Sequence, residues 1–185
     1  MKWTTQKLWD VLYYITDTLA DSLYPSASPE DLFNEPITQP TAADIWTLGI
    51  NLYEVLGERP LFETFSWDRD NIFPEITKTL GQPPARWLDS RDKCSEFFKE
   101  DRSWVADFRR ISVFRRLRQR LWEIGRGETE QTCEWDVAGG ELNTLEDLLR
   151  AMVAFEPGDR STAKTLLIII RDIRYFMNGW ALWGG

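Results

Sequence analysis

One segment of this chain, residues 42–56, is apolar nearly all round when it is placed on a helix. Its apolar positions at helical spacing and on the remaining sides are Ile45, Trp46, Leu48, Ile50, Leu52, Tyr53, Val55 and Leu56. Thr41 is expected to cap this helix, and Gly57 is expected to stop it. A helix that is apolar on every side is normally buried. The sequence therefore predicts a fold built round this segment, at the centre of a domain.

The rest of the chain is also helical in pattern. Four prolines before the central segment predict an extended connector: Pro25, Pro29, Pro36 and Pro40. The periodicity predicts helices over 6–23, 108–122 and 144–155. A weaker helix is predicted over 68–80, and it either starts near Phe73 or kinks at Pro74. A further helix, capped by Ser161 or Thr162, is predicted to run through Leu166 and Leu167. Residues 85–105 suggest short helices and loops, 126–143 a loop, and 175–183 an aromatic tail. Strand patterns are nearly absent, so the predicted class is all-α.

The composition excludes several classes of function. A net charge of −8 disfavours nucleic acid and anionic membranes as general partners. The chain has no histidine, which removes histidine-based catalysis and histidine-ligated metals. Cys94 and Cys133 are isolated, so neither a zinc site nor a disulfide framework is indicated. We expect no metal, no cofactor and no membrane span, and a reducing intracellular location, either cytoplasmic or nuclear.

Five short motifs follow one another in a distinctive order. They are Ser28-Pro29-Glu30, Asp44-Ile45-Trp46-Thr47-Leu48-Gly49, Gly57-Glu58-Arg59-Pro60-Leu61-Phe62, Leu80-Gly81-Gln82-Pro83-Pro84 with Trp87, and Phe155-Glu156-Pro157-Gly158-Asp159-Arg160-Ser161-Thr162. From Ser28 to about Leu167 this order resembles the large, C-terminal lobe of a eukaryotic protein kinase, from the end of its activation segment onward. It is most similar to fungal kinases related to the SR-protein kinases. The resemblance implies an all-α C-lobe built round a buried F-type helix.

The resemblance also implies roles for individual residues. Glu30 and Arg160 stand where kinases have a buried ion pair, and the alternative is two unrelated surface charges. Asp44, Trp46 and Gly49 stand in the F-helix motif. In an active kinase the residue at Asp44 anchors the catalytic loop, whereas here it either keeps a related role or caps or solvates the helix start.

The residues that perform phosphoryl transfer in this family have no counterpart in the sequence. Only 27 residues precede Ser28, whereas the phosphate cradle, lysine, catalytic aspartate and magnesium ligands of a kinase lie upstream of that motif. We therefore expect a catalytically inactive, pseudokinase-like module that binds an unidentified protein. The alternatives are a fragment of an active ATP-dependent serine/threonine kinase, and a remnant without a present role.

A basic cluster is the candidate docking surface. Its arginines are Arg109, Arg110, Arg115, Arg116, Arg118 and Arg120. Such a run is either a solvated helix face or a patch for an acidic or phosphorylated partner, since guanidinium groups suit carboxylate and phosphate. Ser112 follows Arg109-Arg110 at the spacing of a basophilic phosphorylation site. The expected organisation is a helix over 1–24, an activation-segment remnant over 25–41, a helical C-lobe over 42–170 and a tail over 171–185.

Overall fold

The computed structural model describes residues 27–63, 69–89, 116–124, 129, 131–132, 135 and 138–169. Helices account for 66% of this part of the chain, and it contains no strand. The helices are α1 (Pro29–Leu32), α2 (Pro40–Gly57), α3 (Arg69–Leu80), α4 (Ala85–Asp89), α5 (Leu117–Ile124), α6 (Glu141–Met152) and α7 (163–169), with a 3₁₀ turn at Pro157–Asp159 between α6 and α7. The predicted all-α class is confirmed for the residues that the structure describes.

Several predictions lie outside the described residues. These are the amphipathic helix over 6–23, residues 108–115 of the predicted helix over 108–122, and the aromatic tail over 175–183. None of the described helices is long and apolar enough to cross a membrane.

The central helix α2 begins and ends differently from the prediction. It starts at Pro40 with Gln39 as N-cap, so Thr41 is not the cap. Proline suits the first helical position because its missing N–H would have no partner there. Gly57 remains in the helix, and Glu58 closes it in the left-handed conformation at φ 52°. A Cβ on Gly57 would lie 2.4 Å from Cγ2 of Ile124, so the glycine is required by packing rather than as a stop.

The predictions for α1 and α3 also need correction. The proline connector contains one helical turn, α1, with Pro29 at its first position. Helix α3 runs from Arg69 through Pro74 to Leu80, so a start near Phe73 is wrong. Its residues 72–77 are all buried, which makes it a core helix despite its weak apolar periodicity.

The C-terminal helices bracket a short 3₁₀ turn. Helix α6 starts at Glu141, three residues before the predicted start, and the hydroxyl of Thr144 donates to the carbonyl of Gly140 at 2.8 Å. It ends at Met152, before Phe155. Thr162 caps α7 as predicted, because its Oγ1 accepts the backbone N–H of Thr165 at 3.2 Å.

Helix α2 packs against α6 and α6 against α5 around one hydrophobic core. Helices α2 and α6 lie close together at Gly49, where a Cβ would lie 2.9 Å from Cβ of Met152. Trp46 is fully buried and stacks on Phe62 at 6.0 Å. The core thus joins the central helix to the segment that follows it and to the C-terminal helices.

Candidate functional site

The most elaborate polar arrangement in the described part of the chain surrounds the guanidinium of Arg160. Its Nη1 donates to Oε1 of Glu30 at 2.9 Å, and its Nη2 donates to Oε2 at 2.6 Å. Both side chains are buried, with 0% and 5% exposed. The ion pair that the sequence predicts is therefore present, with the bidentate geometry that planar forks favour.

Backbone carbonyls accept the remaining donors of Arg160. Its Nη1 also donates to the carbonyl of Ala42 at 3.0 Å, Nη2 to that of Phe155 at 3.0 Å, and Nε to that of Ala154 at 2.8 Å. One side chain thus joins α1, the first turn of α2 and the segment after α6. We call this arrangement the Arg160 clamp. All five guanidinium N–H groups are used.

The three residues of the F-helix motif have different environments. Trp46 lies beside the clamp, with the guanidinium carbon of Arg160 5.2 Å from its ring centroid. Gly49 provides the close contact with α6. Asp44 is exposed and lies inside α2 rather than at its cap position, so the capping interpretation is wrong. Within the described residues it contacts no hydrogen-bond or ionic partner.

A second arginine, Arg86, connects the segment after α1 to the segment after α6 at the protein surface. Arg86 pairs with Glu35 at 2.9 Å and with Glu156. Trp87 donates its indole N–H to Glu35 at 2.7 Å, and its ring stacks on Phe33 at 4.7 Å. The hydrogen bond from Arg86 lowers the pKa of Glu35; the hydrogen bond from Trp87 acts in the same direction, and burial acts against both. Hydrogen bonds to Glu156 and Glu35 raise the pKa of Arg86. Sequence reasoning missed this network because Arg86 lies in a stretch with no clear periodicity.

The structure corrects the predicted docking patch. Arg120 is only 2% exposed, its Nη2 donates to Oε2 of Glu75 at 3.1 Å, and its carbonyl accepts the hydroxyl of Tyr53 at 3.2 Å. It cannot form part of a surface patch, because it lies with Leu117 and Leu121 on the buried face of α5.

Of the other five arginines in the predicted patch, the structure describes Arg116 and Arg118. Arg118 is half-buried and donates to Asn143 at 2.9 Å and to Glu146 at 2.7 Å. Arg116 is exposed. Arg109, Arg110, Arg115 and Ser112 lie outside the described residues.

The carboxylates of the described residues form no metal centre. No group of three or more aspartate, glutamate or cysteine side chains there could hold a metal ion. Burial raises the pKa of Tyr53 to about 12, so its hydroxyl remains a proton donor at neutral pH. At the Arg160 clamp, ion pairs and hydrogen bonds connect segments that are far apart in the sequence.

A second surface feature is visible on α2. Positions 44, 47, 48, 51, 54 and 55 share one side of this helix and are half-buried or exposed, whereas 45, 46, 49, 52 and 53 on the other side are buried. The predicted burial of α2 therefore holds for one side of the helix, and the opposite side is only partly buried.

No protein-family model matches the chain, and no curated protein matches it.

Proposed function

We propose that residues 28–167 form a fold like the C-terminal lobe of a eukaryotic protein kinase, and that the 185 residues serve as a protein-binding module without phosphoryl transfer. The observation that carries the proposal is the Arg160 clamp. Glu30 and Arg160 are 130 positions apart, and they form the carboxylate–guanidinium pair that the resemblance to kinase motifs implies.

The environment of the clamp gives further support. Trp46 and Gly49 belong to a third motif of the same order, and both lie in the core, next to Arg160 and α6 respectively. A chance match of short motifs would give no reason for three distant segments to converge on one guanidinium.

The proposed lack of activity follows from chemistry. Phosphoryl transfer by kinases requires a lysine and backbone cradle for the phosphates, a carboxylate for the hydroxyl proton, and a carboxylate and an amide for magnesium. The kinase order places all of these before the motif at Ser28. The 27 residues that precede Ser28 here offer no such set.

Thermal unfolding with Mg-ATP tests the proposal. A nucleotide at 100 times its Kd would stabilise the fold by about 2.7 kcal/mol. For a chain of this size that corresponds to a rise in Tm of roughly 5 to 10 °C. We expect no rise with millimolar Mg-ATP and no transfer of label from ATP to a generic protein substrate. Either a rise of that size or clear transfer would overturn the proposal, and Mg-AMP serves as the matched control.

A second candidate function is phosphoryl transfer by a longer chain that contains these residues. The exposed Asp44 favours it, because the residue at this position in kinases anchors the catalytic loop. The test is to read the coding sequence upstream for an in-frame His-Arg-Asp and Asp-Phe-Gly, which this alternative requires.

A further inference from the structure

The outer side of α7 carries two large apolar side chains. Leu166 is buried in the core, whereas Leu167 is 62% exposed and Ile168 is 45% exposed. In the described part of the chain, the other large apolar side chain exposed to this degree is Ile37, in the connector before α2. Leaving two adjacent apolar side chains in water is unfavourable, and contact with a further segment would remove that cost.

The small size of this surface indicates what can cover it. A stable contact between separate proteins buries about 800 Å² on each partner. Helix α7 has seven described residues, and two exposed apolar side chains on it do not supply that area. A segment of the same chain needs less area, because a short linker gives it an effective concentration in the millimolar range. The surface therefore favours an occupant that is tethered to it.

The Arg160 clamp brings the beginning of the described chain close to α7. Glu30 accepts two hydrogen bonds from Arg160, and α7 starts three residues after Arg160. Ala27, the first described residue, packs against the core. Residues 1–26 thus join the described part of the chain beside the clamp, and only residues 24–26 separate it from a segment that ends at 23.

The sequence over 6–23 suits the outer side of α7. Placed on a helix, its aliphatic side chains at helical spacing share one side: Leu8, Leu12, Ile15, Leu19 and Leu23. Its three aspartates share the opposite side: Asp10, Asp17 and Asp21. Docking through the aliphatic side would cover Leu167 and Ile168 and leave the carboxylates in water, which avoids the cost of burying a charge.

The C-terminal residues suit this surface less well. Residues 170–185 follow α7 directly and contain no glycine or proline before Gly179. No turn signal therefore returns them to the outer side of the helix that they follow.

We propose that residues 6–23 bind the outer side of α7, with the aliphatic side chains of that segment placed on Leu167 and Ile168. This contact lies within the chain and goes beyond the proposed function, since it does not depend on the partner protein.

Photo-crosslinking in the full 185-residue chain tests the contact. With benzoylphenylalanine in place of Ile168, irradiation should give a monomer in which mass spectrometry finds position 168 joined to a peptide from 6–23. Benzoylphenylalanine in place of Ile37 is the matched control, because Ile37 has the same exposed fraction, 45%, and lies nearer to 6–23 in the sequence. Position 37 should give about a tenth of the yield.

Two variants within 6–23 sharpen the test. Leu12→Lys should reduce the yield from position 168 about tenfold, because docking would bring an ammonium group onto an apolar surface. Asp17→Lys introduces the same side chain on the opposite side of the segment, and it should change the yield less than about twofold.

Four results would overturn the proposal. The first is no crosslink from position 168, or equal yields from positions 168 and 37. The second is a crosslink to 170–185, which would make the C-terminal residues the occupant. The third is a crosslinked dimer whose share grows with protein concentration, which would make a second copy the occupant. The fourth is an equal loss of yield in Leu12→Lys and Asp17→Lys. The Mg-ATP test is separate, so failure of this contact would leave the proposed function standing.

Discussion

Replacing Arg160 by alanine should be among the most damaging single changes in the described part of the chain. The substitution leaves the carboxylate of Glu30, which is 5% exposed, without its bidentate partner. It also removes the donors to three carbonyls, those of Ala42, Ala154 and Phe155. Breaking a buried ion pair by removing one partner costs about 3 to 5 kcal/mol, because an uncompensated charge stays buried. Typical domains are stable by about 5 to 15 kcal/mol, so Arg160→Ala should remove a large share.

Urea denaturation followed by tryptophan fluorescence measures this cost directly. With a slope of about 2 kcal/mol per molar urea, the midpoint should fall by roughly 1.5 to 2.5 M. Trp46 is a suitable reporter, since its ring lies 5.2 Å from the guanidinium carbon of Arg160. Arg160→Lys should recover only part of the loss, because an ammonium group cannot reproduce five planar donors.

Arg86 supplies a control within the same chain. It also joins two carboxylates, Glu35 and Glu156, but its side chain is 45% exposed. Exposed ion pairs contribute about 0.2 to 1 kcal/mol, so Arg86→Ala should cost far less than Arg160→Ala. The double variant Glu30→Leu with Arg160→Met removes the buried charge and should lose about 1 to 3 kcal/mol, chiefly from the unpaired carbonyls. If Arg160→Ala costs no more than Arg86→Ala, burial does not set the strength of the clamp and the reasoning fails.

Two further outcomes test the packing and the electrostatics. Gly49→Ala should cost about 1 to 3 kcal/mol, because its Cβ would lie 2.9 Å from Cβ of Met152. Gly158→Ala, with no atom within 4 Å of the new Cβ, should be neutral or slightly stabilising. Calorimetric measurement of Tm for the two variants tests both expectations. Burial opposes ionisation of Glu146, but hydrogen bonds from two arginines outweigh it and lower the pKa of this carboxyl. The ionised form therefore stabilises the fold above the usual carboxyl pKa, and this contribution is lost as the pH falls through the lowered value. Glu146→Gln should then cost about 1 kcal/mol near neutral pH and nothing in strong acid, and equal costs at both would contradict the sign.

The sequence predicted the elements whose signals are local or repeated. Apolar periodicity identified α2, and a Thr162 cap followed by an apolar run identified α7. The pairing of Glu30 with Arg160 could not come from periodicity, because the two residues are 130 positions apart. The prediction of this pair came from the order of the five motifs along the chain. That order indicates which distant segments meet, whereas helix propensity describes only neighbouring residues.

Arginine burial could not be predicted in the same way. Arg160 and Arg120 are both nearly inaccessible, whereas Arg86 is 45% exposed, and all three pair with glutamates. Arginines are usually exposed unless they are paired, so a run of arginines favours a surface helix. Arg120 departs from this rule because it pairs with Glu75 of α3. The sequence of one helix does not indicate which residue of a distant helix will lie next to it in the fold.

Helix α2 shows the same limit for apolar residues. Periodicity measures how apolar each side of a helix is, but the number of helices that pack around it determines how much of it is covered. Helix α6 covers the side with Gly49, while Leu48 and Val55 are half-buried and pack against the edge of the core. Glu54 breaks the apolar pattern beside them, and burial raises the pKa of its carboxyl. A charged residue at the margin of an apolar helix is thus a sequence signal that this side is less deeply buried than the opposite one.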